Sequence, residues 1–126
     1  MSFTSTYAGF NYAALPLATY RAGEDVLVGG STTGRLLFLK QGAVAVTRQG
    51  TEIAIVDEPG AVFGEVSALL NRPHTADVCA IQPSQFYVTD AGLLGYNAAA
   101  LFYVAAVLAR RLDRANQALV ASLQQR

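Results

Sequence analysis

The chain is poor in the residues that build metal centres, disulfides and catalytic relays. Of its 126 residues one is cysteine, one is histidine and none is tryptophan. A lone cysteine rules out a disulfide framework, and Cys79, inside the run Asp77-Val78-Cys79-Ala80-Ile81, reads as a strand thiol. With His74 as the sole imidazole there is no set of histidines to hold a metal and no second base to activate Cys79 or a serine. A small jelly-roll metalloenzyme of the cupin kind is therefore only a minor alternative; no catalytic residue, metal ligand or cofactor is assigned, and the chain is expected not to be an enzyme. Charge of either sign is also scarce: nine basic and nine acidic residues cancel, and no basic run marks a nucleic-acid surface. Residues 1–6 are polar and lack a basic start, so no export signal is read and a cytoplasmic location is expected. One uncharged stretch, 91–109, approaches the length of a membrane span, but seven of its 19 residues are Ala, two are Gly and Asn97 sits inside. A helix buried by packing or dimerisation fits it better.

Glycine, by contrast, is plentiful at 11 residues and falls between short β-branched or alternating segments. Residues 25–28, 35–40, 43–48, 52–57, 77–82 and 85–89 read as strands, with Gln41-Gly42 and Gln49-Gly50 as tight turns. Many short strands with regular punctuation predict a small barrel or jelly roll over about residues 15–90. From about 97 to 125 the pattern changes to one long helix. Leu101, Ala105, Leu108, Leu112, Ala115, Leu119 and Ser122 recur at alternating spacings of four and three, a stripe that implies a partner helix and a homodimer, with simple docking on the barrel as the alternative. The first 14 residues carry Tyr7, Phe10 and Tyr12 without periodicity and read as a loose or short helical lead-in. The length suits one domain, residues 1–126.

The stretch with the most chemistry is Phe63-Gly64-Glu65-Val66-Ser67-Ala68-Leu69-Leu70, followed by Asn71-Arg72-Pro73-His74-Thr75-Ala76-Asp77-Val78. A Phe-Gly pair leads into a short apolar helix whose first N–H groups face whatever sits over its start, and Gly64 lets that ligand approach the main chain. Glu65 accepts hydrogen bonds from hydroxyls. Together these point to a pocket for a sugar and a phosphate.

These segments, with Arg21-Ala22-Gly23-Glu24-Asp25-Val26-Leu27, residues 36–46 and Leu108-Ala109-Arg110-Arg111-Leu112, resemble the cyclic-nucleotide-binding domain family, the sensory module of catabolite-activator-type regulators. The resemblance covers roughly residues 17–125 and implies a mainly β fold with helices: an eight-stranded jelly-roll β-barrel followed by a long C-terminal helix, with Gly23, Gly42 and Gly64 shaping turns. It implies that Glu65 takes the ribose 2′-hydroxyl, that the main chain of Gly64, Val66 and Ser67 cradles the cyclic phosphate, that Thr75 reaches phosphate or base, that Asn116 lies near the base, and that Phe63 and Ala76 belong to the same ligand-binding set. His74 stands where the family has its phosphate-binding arginine. A guanidinium is always charged and grips two oxygens at once, whereas an imidazole offers one donor and is mostly neutral near pH 7. Losing such a contact costs on the order of 2 to 4 kcal/mol, enough to move a micromolar ligand towards millimolar. Arg72 is the candidate substitute, and Asp77, if turned inward, adds an unfavourable charge. The function implied is a regulatory or sensory domain that binds cAMP or cGMP weakly, the alternative being a ligand-free dimerisation or protein-interaction module. No helix-turn-helix follows the long helix, so output is expected from a separate protein or a longer chain.

Overall fold

The computed structural model describes residues 6–7 and 10–125. Ten strands and two α-helices follow one another in the order β1 (Thr6–Tyr7), β2 (Phe10–Asn11), β3 (Leu17–Tyr20), β4 (Asp25–Leu27), β5 (Arg35–Gln41), β6 (Val44–Arg48), β7 (Thr51–Val56), β8 (Val62–Phe63), α1 (Glu65–Leu70), β9 (Asp77–Ala80), β10 (Ser84–Asp90) and α2 (Ala98–Gln124). Eight of the strands form two antiparallel four-stranded sheets, ordered β3-β10-β5-β8 and β4-β9-β6-β7. Successive strands repeatedly change sheets, which is the jelly-roll connectivity expected from the sequence.

Sheet-on-sheet packing explains the first of two cores. Leu37, Leu39, Val44, Phe63, Val78 and Phe86 fill the space between the sheets. The alternate residues of β5, Leu36 and Phe38, point to the other face and join a second core with Val62, Leu93, Ala100, Tyr103, Val104 and Val107. Strand β5 is buried on both faces, so its sequence is a continuous apolar run rather than an alternation.

The second core is the reason α2 lies on the barrel. Asn97 caps its start by accepting the Ala100 N–H at 3.0 Å. Ala100, Tyr103, Val104 and Val107 then present one buried face. The Tyr103 hydroxyl donates to the Gly60 carbonyl at 2.6 Å, which pins α2 to the turn before β8. Burial, then the neighbouring Tyr12, push the Tyr103 phenol well above its ordinary pKa, so it remains a neutral donor.

Two readings left open by the sequence are narrowed here. The lead-in is not loose where it is described but holds a short 3₁₀ helix, Tyr12–Ala14; Phe10 and Tyr12 are buried, with Tyr12 stacked on Phe38 at 5.5 Å between ring centroids. Residues 1–5 and 8–9 lie outside the described residues. Leu101, Leu112 and Leu119 of the α2 stripe are 40%, 63% and 57% exposed, so the stripe as a whole does not dock on the barrel, although Leu108 packs against the second core. Among the described residues no helix is long and apolar enough to cross a membrane.

Candidate functional site

Strand β8 delivers Phe63 into the barrel, and the chain then turns sharply at Gly64, where φ is 88° and ψ 3°. That left-handed conformation is open to glycine at little cost, and a Cβ there would collide with the Arg35 carbonyl oxygen. The turn starts α1, whose Ala68 N–H bonds the Gly64 carbonyl at 3.1 Å. The N–H groups of Glu65, Val66 and Ser67 precede any intrahelical partner and face outward from the helix start. Asn71 ends the helix, again left-handed at φ 51°.

The segment after α1 is tied to the β4–β5 loop by main-chain bonds on both sides of one residue. His74 N donates to Ser31 O at 2.9 Å, and His74 O accepts from Gly30 N at 2.8 Å. His74 is thereby held 5% exposed, with Nε2 hydrogen-bonded to Thr33 Oγ1 at 2.9 Å. Thr33 was not singled out by the sequence reading; it lies 41 residues away, and nothing local marks it.

These pieces meet around a cleft of about 280 Å³. Phe63, Gly64, Glu65, Val66, Ser67, His74, Thr75 and Ala76 line it, with an apolar wall from Leu27, Val46, Ile53, Ala54, Val56 and Val78. A small, mostly apolar cleft with a few polar groups is the usual form of a small-molecule site.

Arg111, from α2, closes one side of the cleft. Its Nη1 donates to Glu65 Oε1 at 2.8 Å and its Nη2 to the Val62 carbonyl, while its guanidinium carbon sits 5.9 Å from the centre of the Phe63 ring. Among the described residues Glu65 Oε2 takes no hydrogen bond, and none of their buried side-chain polar atoms lacks a partner, so Oε2 keeps some contact with solvent. One carboxylate oxygen is thus fixed by Arg111 and the other is free to accept a hydroxyl. Arg111 belongs to one of the segments that carry the family resemblance, but that resemblance assigns it no part in the site. The signal was present in its spacing: Ala100, Val104, Val107 and Arg111 share one face of α2, so the arginine extends the buried stripe.

Two residues proposed from sequence lie elsewhere. Asn116 is exposed on α2, five residues beyond Arg111, and does not line the cleft. Arg72 is exposed and lines a separate hollow with Arg35, Asn71 and Pro73, which shares only Gly64 and Ser67 with the cleft. Asp77 is turned away from the cleft, its Oδ1 accepting the Gly29 N–H at 2.6 Å. Among the described residues no three His, Cys, Asp or Glu side chains gather into a possible metal site.

Solved structures of similar shape include the catabolite activator protein of Thermus thermophilus, 24% identical over 87% of this chain with a TM-score of 0.68. A cyclic nucleotide-binding domain from Methylobacillus flagellatus is 21% identical over 84% of this chain, covers 66% of its own length and has a TM-score of 0.72. The regulatory subunit of a cAMP-independent protein kinase A from Trypanosoma cruzi, bound to guanosine, is 20% identical over 66% of this chain and 30% of its own, with a TM-score of 0.62. The present chain spans about half the length of the Thermus protein, 55%. No curated protein sequence matches it. These likenesses speak for the fold, and the model of the cyclic nucleotide-binding domain matches residues 17–94, more than half of the sequence, so the chain belongs to the cyclic nucleotide-binding domain family.

Proposed function

We propose that this chain is a regulatory sensing domain that takes a ribose-bearing ligand into the cleft between α1 and α2, binding cAMP or cGMP weakly because His74 stands where the family has arginine. One observation carries this reading: the free Oε2 of Glu65, held in place by Arg111 on α2, is an oriented acceptor for a sugar hydroxyl. Family members named for cyclic nucleotides and the Trypanosoma chain bound to guanosine share a ribose as the common element of their ligands. Arg111 joins the cleft to α2, so a ligand that draws on Glu65 also acts on the helix that would pass the signal on. The test is calorimetric titration of the wild type and His74→Arg with cAMP and cGMP. His74→Arg is expected to raise cyclic-nucleotide affinity at least about tenfold, the worth of one charge-assisted contact to phosphate. No gain would count against the assignment of the phosphate position to residue 74.

A second reading, a ligand-free module that works by dimerising, is favoured by the exposed stripe of α2. Leu101, Leu112 and Leu119 lie along it outside both cores, and apolar side chains at this spacing suit a partner helix. Leu112→Asp is expected to convert a dimer into a monomer in light scattering at micromolar concentration. An unchanged mass would remove that seam from consideration. A separate output protein, read by α2, belongs to either reading.

A further inference from the structure

We infer that the cleft prefers an uncharged ribonucleoside to the corresponding cyclic nucleotide. The inference rests on the proposed ribose-binding reading and adds the charge class of the ligand. It begins from the charged groups that face the ligand space. Glu65 and Arg111 are the two permanently ionisable side chains lining the cleft, and they neutralise each other at 2.8 Å. Two of the five N–H donors of Arg111 are engaged, one by Glu65 and one by the Val62 carbonyl, and its charge is already matched by that of Glu65. Besides that tethered guanidinium, a phosphate meets an imidazole, part-occupied by Thr33, and the hydroxyls and main-chain donors of Ser67, Thr75 and their neighbours. The next arginine along the chain from α1, Arg72, lines the separate hollow and brings no charge into this one.

A cyclic nucleotide would bring one full negative charge into a small cleft whose walls are largely apolar, and desolvating that charge is costly unless a cation meets it. Main-chain dipoles and a single imidazole donor meet it only in part. A nucleoside carries no such charge. Its ribose hydroxyls find the free oxygen of Glu65, its 5′-hydroxyl finds the polar set at His74 and Thr75, and its base lies against Val46, Ile53 and Val56. The polar groups present therefore match hydroxyls in number and in charge, and lack the one element that distinguishes a phosphate.

The experiment is isothermal titration of the full chain with adenosine, guanosine, cAMP and cGMP at about pH 8, where an ordinary histidine is neutral. At least one nucleoside is expected to bind about tenfold or more tightly than its own cyclic phosphate. In Glu65→Gln, which frees the Arg111 charge while keeping the side chain's shape, the ratio of nucleoside to cyclic-nucleotide affinity is expected to fall by about tenfold, whatever happens to the absolute values. Tighter wild-type binding of a cyclic nucleotide than of its nucleoside overturns this inference and leaves the ribose-binding reading standing. Absence of binding by all four ligands at millimolar concentration overturns both. The wild-type comparison decides the question even if the variant does not fold.

Discussion

Gly64→Ala is expected to lower the stability of the fold by about 3 kcal/mol and its melting temperature by roughly 10 °C. Two effects add. An alanine at φ 88° pays about 1 to 2 kcal/mol for a left-handed backbone. Its methyl group would also run into the Arg35 carbonyl oxygen, which is backbone at the start of β5 and cannot rotate away as a side chain would. Relief requires β5 and the β8–α1 turn to separate, and forced overpacking of this kind costs about 1 to 3 kcal/mol. Gly23→Ala is the matched control, because Gly23 has nearly the same φ, 89°, with nothing within 4 Å of the added methyl. Thermal and urea unfolding followed by circular dichroism should show the Gly64 variant losing about twice as much as the Gly23 variant. Equal losses would assign the whole effect to backbone conformation and none to the close approach of the two segments. His74 would feel the shift as well, since its Cε1 lies 3.7 Å from where the methyl would stand.

That close approach explains why so much of the fold was legible from residues alone. Where glycine is needed for a positive φ and the segments between glycines are apolar and β-branched, the local signals and the global topology agree. The expected strand at 35–40 is β5, Arg35–Gln41, and the expected helix at about 97–125 is α2, Ala98–Gln124. What was missed had no local signal. Strand β8 has two residues, too few for a period, and is held by pairing Leu37 with Phe63 and Phe38 with Val62. Phe10 and Tyr12 follow no helical or strand repeat, and they are buried because the outer face of β5 and α2 leave an aromatic-sized gap that they fill.

The site divides along the same line. Nine of the ten residues proposed for it lie within one stretch of 14, 63–76, and a strand, a tight turn and a short helix bring eight of them to one cleft by local geometry. Arg72 belongs to that stretch too, but Pro73 and the turn at Asn71 send it to the other hollow. The contributions from afar come through tertiary packing: Arg111 lines the cleft, and Thr33 holds His74. Along α2 the leucine stripe pointed to a partner helix, and the face one residue earlier, Ala100, Val104 and Val107 with Tyr103 beside it, is the one buried on the barrel.

Arg111→Met should cost about 2 to 3 kcal/mol, second among the expected effects, although the residue lies outside both apolar cores. Its loss leaves the Glu65 carboxylate, whose side chain is only 12% exposed, without a counter-charge, and the Val62 carbonyl without that donor. An uncompensated carboxylate at that depth is more expensive than the pair it came from. The Arg111 side chain is 36% exposed, so solvent screens part of the attraction and holds the cost below the range for a fully buried pair. Glu65→Gln should cost less, about 1 kcal/mol, because the amide oxygen still accepts from Nη1. In the double variant the neutral glutamine faces a methionine and no charge is stranded, so the combined loss falls short of the sum by about 1 to 2 kcal/mol. Urea unfolding of the four proteins measures that shortfall directly. Additivity within about 0.3 kcal/mol would mean that Arg111 serves only as packing over Phe63, and the link from the cleft to α2 would then have no electrostatic content.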